Sequence, residues 1–395
     1  MSNAYIAENA LLSMGVEDID IYGTLVTCGT GLGLIPTSFT PPNADQTITE
    51  AYSVRQARTR LLQVPGKVAY NGSVSGWLQN PRLLRHIFGR VTDDAQTLAT
   101  QTTLDAAVAR GSTAIDCSAD SYSVGDYIQI GDASSVSNTP EIRQISADAG
   151  DSTYTLDREL LIAHPITSIV KKATIDANGT NYVTHTFTEN YVPPPSYSLE
   201  YVLISPNAGT DLRSRWSGGR FIDASLRQDV DAPLQASFSF NHKDETTGGT
   251  AVAVADVTTS PYKFFEGEIT YAGAGITRLD NVEWSMESGL DPRYYIKSSN
   301  GQYVHEQVTG KVKHSVDLAY GFVDLTEYNK FEAAEFAGSM SWTRTASSDQ
   351  MTVAWTNMKV RTRGRDHPYE GRVTQNQVLL PESVTVTVAD STAYY

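Results

Sequence analysis

The strongest constraint on the fold is a strict alternation of apolar and polar side chains from Val308 to Leu318. One side of this segment carries valines, a glycine and a leucine, interrupted only by His314. Because side chains point alternately to the two faces of a strand, the pattern predicts a long strand with one buried face. We expect His314 to be a hydrogen-bonded core or interface residue. The following segment, Asp324–Phe336, has an acidic start and apolar residues at helical spacing, which predicts a short helix.

The same alternation recurs along most of the chain and predicts further strands. These are Val68–Leu78, Tyr197–Leu203, Phe221–Leu226, Leu234–Phe240, Phe264–Tyr271, Val282–Met286, Met340–Thr345, Met351–Val360 and Val384–Val388. One apolar face and one face of Thr, Ser and Glu indicate antiparallel sheets that are solvated on one side. No regular alternation of strands and long helices appears, which argues against a doubly wound fold. The predicted class is mainly β, an antiparallel β-sandwich or barrel with a short packed helix.

The N-terminal part contains two segments without strand alternation. Thr37–Thr49 has adjacent prolines and no periodicity, which predicts a long exposed loop. Pro81–Phe88 starts with a proline and has an apolar side, which predicts a short helix that Gly89 terminates.

A change in composition marks a second unit at residues 93–172, which hold 12 acidic and 5 basic residues. Leu104–Ala109 predicts a short helix. Four strands are predicted after it, at Ala114–Cys117, Tyr127–Ile130, Glu141–Ile145 and Thr153–Leu156. We interpret this unit as a small β module inserted into a domain formed by residues 1–92 and 173–395, since exposed connections tolerate insertions.

The charge balance limits the possible partners. The net charge is −15, with 45 acidic and 30 basic residues, of which only 10 are lysines. An acidic, lysine-poor surface fits ordinary solubility or adaptation to high salt, and it argues against binding nucleic acid phosphates as the main activity. Two arginine clusters stand out, Arg55, Arg58 and Arg60 and then Arg361, Arg363 and Arg365. We interpret both clusters as ion-pair partners for acidic surfaces on a neighbouring subunit.

No pattern typical of catalysis or metal binding is present. The seven histidines are scattered singly, and Cys28 and Cys117 lie in unrelated contexts. The glycines of Gly29–Gly33 lack the spacing and the following helix of a nucleotide-binding loop. We therefore expect no cofactor, no metal and no enzyme. The first residues lack the features of a signal peptide and no long apolar run occurs, so we expect no contact with a membrane.

The order of these pieces resembles the tail tube proteins of long-tailed bacterial and archaeal viruses. The segments that carry the resemblance are Gly218–Asp244, Ser260–Gly273, Leu279–Ile296 and Gln307–Leu318. The last of these contains the Val-Thr-Gly start of a strand. It covers residues 1–92 and 173–395, and the module at 93–172 is similar to β modules added to viral structural proteins.

The resemblance implies a virion protein of the tail, made and assembled in the host cytoplasm. Its copies would form hexameric rings that stack into a tube, with the module on the outside and viral DNA passing through without specific binding. A tape measure protein would occupy the tube during assembly, and tail terminator and baseplate proteins would contact its ends. For the contact between rings we propose four residues of the predicted loop, Phe39, Pro41, Pro42 and Asp45.

Two other functions remain possible from the sequence. A carbohydrate-binding or adhesin β-sandwich could use Trp216, Trp284, Trp342 and Trp355 as stacking surfaces, although Trp284 and Trp355 fall on apolar faces where core packing is expected. A head-decoration or connector protein of a tailed virus is the other.

Overall fold

A computed structural model of the chain describes most of its residues. These are 10–17, 22–51, 62–95, 97–131, 140–175, 183–189, 194–205, 211–249, 254, 257–271, 274–275, 278–296, 301–321, 335–345, 347, 349–366 and 373–392. The helix predicted after Asp324 falls largely outside this set. None of the helices in these ranges is long and apolar enough to cross a lipid bilayer.

Nearly all of the regular secondary structure in the described residues is strand. They are β1 (Ala10–Val16), β2 (Leu34–Ala51), β3 (Leu62–Leu78), β4 (Gly89–Ala95), β5 (Thr97–Thr103), β6 (Ala114–Asp116), β7 (Tyr127–Ile130), β8 (Glu141–Gly150), β9 (Thr153–Leu156), β10 (Ile169–Thr174), β11 (Val183–Glu189), β12 (Tyr197–Leu203), β13 (Leu212–Asp229), β14 (Gln235–His242), β15 (Asp244–Thr247), β16 (Gly267–Tyr271), β17 (Ala274–Gly275), β18 (Leu279–Glu287), β19 (Asp291–Arg293), β20 (Glu306–Val308), β21 (Lys313–Gly321), β22 (Phe336–Thr343), β23 (Gln350–Asp366), β24 (Thr374–Leu380) and β25 (Ser383–Asp390). The helical pieces are a 3-10 turn at Pro81–Leu84 that continues into α1 (Arg85–Phe88), and a 3-10 turn at Phe264–Glu266.

Two antiparallel sheets form a sandwich, as the sequence predicts. The large sheet has the strand order β2-β3-β14-β13-β18-β21-β24-β23. The second sheet has the order β4-β11-β25-β23-β22-β16-β17. Strand β23 belongs to both, because it pairs with β25 in its first half and with β24 in its second. A third, smaller sheet has the order β1-β12-β13-β15.

Aromatic side chains fill the core of the sandwich. Trp284 on β18, Trp342 on β22 and Trp355 on β23 are at most 1% exposed and belong to one apolar cluster. The predicted short helix packs here, with Phe88 stacked on Trp284 at a ring distance of 5.8 Å. Its start and end are those the sequence predicts. Asn80 caps the first turn, and Gly89 ends the helix in the left-handed conformation at φ 78°.

Strands β5 to β10 form a separate six-stranded sheet with the order β5-β10-β7-β8-β9-β6. It has an apolar cluster of its own, which includes Ile128, Tyr154 and Val170. The four strands predicted in this region are present. The side chain of Gln129 links the sheet to β4, accepting from the Ala95 amide at 2.8 Å and donating to Asp94 at 3.1 Å.

Two local predictions in the first half of the chain were wrong. Thr37–Thr49 is not a loop but part of strand β2, which pairs with β3 along its whole length and has register shifts beside its prolines. Leu104–Ala109 is not a helix, because Leu104 and Val108 form isolated bridges with Cys117 and His164.

The strand predicted from Val308 to Leu318 is interrupted. Val308 pairs with Asp291 in the short β19–β20 hairpin. Gly310 passes so close to Gly289 that a Cβ on it would lie 2.3 Å from the Gly289 carbonyl oxygen. The predicted alternation of buried and exposed residues holds from Lys313 onward in β21.

Candidate functional site

The most regular feature of the surface is a row of serines across the solvent-facing side of the large sheet. Six serines occupy directly opposed positions on six neighbouring strands. In spatial order they are Ser38, Ser75, Ser237, Ser225, Ser285 and Ser315. Ser38 is exposed and the other five are half-buried. We call this the serine row.

The pleat of each strand explains why the row faces solvent. The residues next to Ser225 and Ser285 along their strands, such as Ala224, Leu226 and Trp284, are buried in the sandwich core. Small hydroxyl side chains make the opposite side flat and polar. Ser285 and Ser315 are hydrogen-bonded to each other through their hydroxyls at 2.8 Å.

Two further cross-strand rows flank the serine row. In the same spatial order, the first is Thr40, Ser73, Ser239, Asp223, Glu287 and Lys313, and the second is Ile35, Trp77, Gln235, Arg227, Glu283 and Asp317. We call the three rows together the polar face. Serines, threonine and glutamine occupy most of its β2, β3 and β14 half, and the charged residues lie on β13, β18 and β21.

The charges on the polar face are predominantly negative and include two like-charge pairs. Asp223 lies opposite Glu287, and Glu283 lies opposite Asp317. Partial burial, together with the Glu287 carboxylate, raises the pKa of Asp223 above its usual value. Partial burial and the Glu283 carboxylate raise the pKa of Asp317 in the same way. Both raised pKa values mean that the surroundings disfavour the charged form of the carboxyl group.

The two cations of the polar face are paired with carboxylates. Lys313 binds Glu287 at 2.8 Å, and Arg227 lies 2.8 Å from Asp229 and 3.6 Å from Glu283. The flanking rows therefore carry four carboxylates against two cations. The face remains acidic after its internal ion pairs are counted.

The four residues proposed for a contact between rings lie along one strand in different environments. Phe39 packs on the core, with its ring 5.1 Å from that of Tyr201. Pro42 is buried, Pro41 is half-buried and Asp45 is exposed. Among these four, Asp45 is the side chain most available to another molecule.

Asp45 belongs to a two-stranded ribbon that extends beyond the large sheet. We define the ribbon as 43–51 of β2 and 62–69 of β3, which pair with each other, while β14 pairs with β3 only from Tyr70 onward. Every residue from Asn43 to Glu50 is exposed. Ile48 and Val64 are 53% and 46% exposed. Arg55, Arg58 and Arg60 come between the two strands in the sequence and lie outside the described residues.

The tryptophans proposed as sugar-stacking surfaces are unavailable to a ligand. Trp216, Trp284, Trp342 and Trp355 are all at most 2% exposed. Their burial removes the observation on which the adhesin alternative depends. His314 is also buried, and its ring is hydrogen-bonded to Glu189. In the part of the chain that the structure describes, no group of three or more His, Cys, Asp or Glu side chains could hold a metal ion.

Comparison with known proteins gives a match over nearly the whole chain. A family model described as phage tail tube protein matches residues 7–389. No curated protein matches the sequence. One similar solved structure is the tube-terminating cap of the anti-feeding prophage, with 13% identity and a TM-score of 0.26, covering 33% of this chain and 93% of the cap. Another is Hcp1 from Flavobacterium johnsoniae, with 18% identity and a TM-score of 0.19, covering 31% of this chain and 94% of Hcp1.

Proposed function

This chain belongs to the phage tail tube protein family, and we propose that its copies close into hexameric rings that stack into a hollow tail tube. It is a structural component of the virion. We propose that its role is mechanical rather than catalytic, and that viral DNA passes through the tube to the host cell.

The observation that carries this proposal is the polar face. We propose that it lines the channel. A wall of serine hydroxyls binds water. The two cations of the polar face, Lys313 and Arg227, are already paired with carboxylates, so they are not free to hold DNA phosphates. The carboxylates of Asp223, Glu283, Glu287 and Asp317 would repeat in every subunit. Repetition around a ring builds a negative potential that repels the DNA backbone and lets it slide.

The ribbon is the part of the chain that most needs a partner. An isolated two-stranded hairpin is marginally stable in water, and this one exposes Ile48 and Val64. We propose that Asp45 and its neighbours on the ribbon contact a subunit of the next ring, and that Phe39, Pro41 and Pro42 hold the base of the ribbon in place. Ion pairs from Arg55, Arg58 and Arg60 to an acidic neighbour would add to this contact.

The six-stranded sheet from β5 to β10 fits a decoration on the outside of the tube. We propose that it is an inserted module, which would leave the channel unchanged. The remaining partners follow from the role as a tube. We propose a tape measure protein inside the tube during assembly and terminator and baseplate proteins at its ends. Assembly would take place in the host cytoplasm.

Cysteine labelling of assembled tubes tests which face lines the channel. Ser225→Cys should react quickly with a small maleimide and slowly with a long polyethylene glycol maleimide, because only the small reagent diffuses freely along a narrow channel. The control Ser146→Cys lies on an exposed position of the six-stranded sheet and should react with both. Equal reaction of Ser225→Cys with both reagents in intact tubes would contradict the assignment.

A further inference from the structure

Two exposed apolar features lie at opposite ends of the sandwich. The first is in the connection between β19 and β20, where Ile296 is fully exposed and Tyr295 is 47% exposed. The second surrounds a cleft, where Val230, Phe264 and Phe265 are 52%, 38% and 64% exposed. Large apolar side chains that are grouped on a surface commonly mark a contact with another molecule. We call Tyr295 and Ile296 the apolar knob, and the second feature the apolar cleft.

The apolar cleft has the size and the lining to accept an aliphatic side chain. Its volume is about 160 Å³, and residues of β13, β16, β18 and β22 line it. An apolar cavity of about 150 Å³ holds a benzene molecule, so the cleft has room for the four-carbon side chain of an isoleucine. The apolar residues of its lining are Val230, Phe264, Ile269, Leu279, Val282 and Trp342.

The strands of the large sheet separate the knob from the cleft. The cleft lies at the end of β13 and the start of β18, beside Asp229 and Leu279. The hairpin that carries the knob follows the other end of β18, where the Ser288 hydroxyl donates to the Phe221 carbonyl of β13 at 3.0 Å. The span of β13 from Phe221 to Asp229 corresponds to roughly 25 Å. A single copy therefore cannot fill its own cleft with its own knob.

We propose that the apolar knob of one copy of this chain inserts into the apolar cleft of a second copy. This inference rests on the proposed stacking of rings, and it names the side chains that meet. A contact between two different surfaces of identical chains either closes into a ring or continues without end. Because the knob and the cleft lie at opposite ends of the same strands, this contact continues along one direction, as stacking requires.

The ribbon lies at the same end of the sandwich as the knob. The Val68 amide of the ribbon donates to the Gln302 carbonyl at 2.7 Å, and the Tyr294 hydroxyl donates to the Val68 carbonyl at 3.4 Å. The connection that carries the knob is therefore fixed to the ribbon, which we propose to contact the next ring. A knob beside that ribbon would face the same neighbour, whose nearest surface is the end that carries the cleft.

Crosslinking between two single-cysteine variants tests the contact in assembled tubes. Tyr295→Cys leaves Ile296 in place, and Val230→Cys lies in the lining of the cleft. Because each chain carries one new cysteine, a disulfide between positions 295 and 230 can form only between subunits. The two native cysteines are buried and give little background.

We expect this disulfide to form about tenfold faster than in a control mixture, since held thiols reach millimolar effective concentrations. The control mixes Tyr295→Cys with Val124→Cys, a position that is 59% exposed in the unit of strands β5 to β10. Phe265→Cys, on the rim of the cleft, is tested alongside Val230→Cys to allow for the depth of insertion.

Substitutions of Ile296 provide a second readout. Because Ile296 is fully exposed, Ile296→Ser should leave the fold of the subunit unchanged. The protein concentration at which tubes appear should rise at least about tenfold in Ile296→Ser, because the contact loses the burial of a large aliphatic side chain. Ile296→Leu keeps the apolar volume and should assemble as the unmodified protein does. Sedimentation and electron microscopy measure the amount and length of the tubes.

These experiments separate a wrong contact from a wrong function. If tubes form and neither Val230→Cys nor Phe265→Cys exceeds the control, the knob does not enter the cleft, while the tube function stands. Equal assembly of Ile296→Ser and the unmodified protein would also overturn the contact. If the unmodified protein forms neither rings nor tubes, the proposed function itself fails, and this inference fails with it.

Discussion

Glu283 lies directly opposite Asp317 on adjacent strands of the large sheet, so that two carboxylates face each other on the polar face. Like charges in this position destabilise a sheet by up to about 1 kcal/mol. Asp223 and Glu287 repeat the arrangement on the other side of the serine row. Two such pairs on one face indicate that the face is arranged for something other than the stability of the isolated subunit.

Replacing one carboxylate of a like-charge pair should therefore stabilise the subunit. For Asp317→Asn we expect the free energy of unfolding at neutral pH to rise by a few tenths of a kcal/mol, since solvent screens these half-exposed groups. The folded-state pKa of Asp317 is raised, so the destabilisation exists above that pKa and disappears as pH falls towards the unfolded value of about 3.9. Denaturant unfolding at neutral pH and near pH 4 measures both values.

Asp45→Asn is the matched control, because Asp45 is exposed on the ribbon and has no carboxylate opposite it in β3. It should leave stability unchanged at both pH values. A loss of stability in Asp317→Asn at neutral pH would show that the carboxylate makes a favourable contact instead.

A buried histidine should make stability depend on pH in the alkaline range. His185 lies opposite Asp93, with Nδ1 2.7 Å from that carboxylate and Nε2 3.5 Å from Asp390. Burial would lower its pKa, but the two carboxylates outweigh burial and raise the pKa to about 9. A raised histidine pKa contributes stability that is complete below the unfolded value of about 6.5 and is lost as pH rises through about 9.

We expect the wild-type protein to lose stability, on the order of a few kcal/mol, between about pH 6 and about pH 10. His185→Gln should be less stable at the lower pH and should show a much flatter pH dependence over this range. Denaturant unfolding at a series of pH values measures the difference. An equal pH dependence in both proteins would contradict the assigned charge of His185.

The six-stranded sheet should be removable, because its two connections start from neighbouring positions. Ala95 at the end of β4 lies directly opposite Val183 at the start of β11. We expect that replacing residues 96–182 with Asn-Gly, a pair that suits tight hairpin turns, leaves assembly intact and yields thinner tubes. Because Ala95 and Val183 pack against Ile142 and Ala173, the deletion should also expose a small apolar patch.

Electron microscopy of the deletion variant measures the tube width. Failure to form rings, with a folded product, would contradict the division into parent domain and module.

Tryptophan substitutions should distinguish a side chain of the core from one on the surface by their cost in stability. Trp284→Ala should cost about 3–5 kcal/mol of stability, because the side chain is fully buried in the sandwich. Trp77→Ala should cost far less, since Trp77 is 40% exposed at the edge of the polar face. Thermal or denaturant unfolding measures both changes. A similar small loss in the two variants would mean that Trp284 is not a core residue.

The strands could be predicted from the sequence where one face is apolar. Tyr197–Leu203 coincides with β12, and the four strands predicted at 114–156 are present. Strand β2 was missed because its prolines are typical of a loop. An edge strand with register shifts beside its prolines tolerates them, since β3 is the only strand of the described residues that pairs with β2.

The polar face could not be predicted, because it depends on the register between strands that are distant in the chain. Ser225 and Ser285 are polar positions of two strands that the sequence identifies separately. Only the pairing of β13 with β18 brings them opposite each other. The available signal was the use of serine, where lysine or glutamate is common, at solvent-facing positions of several strands.

A cryo-electron microscopy map of the parent virus tail tests the central claim most directly. We predict that this chain forms the wall of the tube in stacked rings, with the serine row and the carboxylates of Glu283 and Asp317 facing the channel. A tail whose tube is built from another protein, or a tube in which this face is turned outward, would contradict the account.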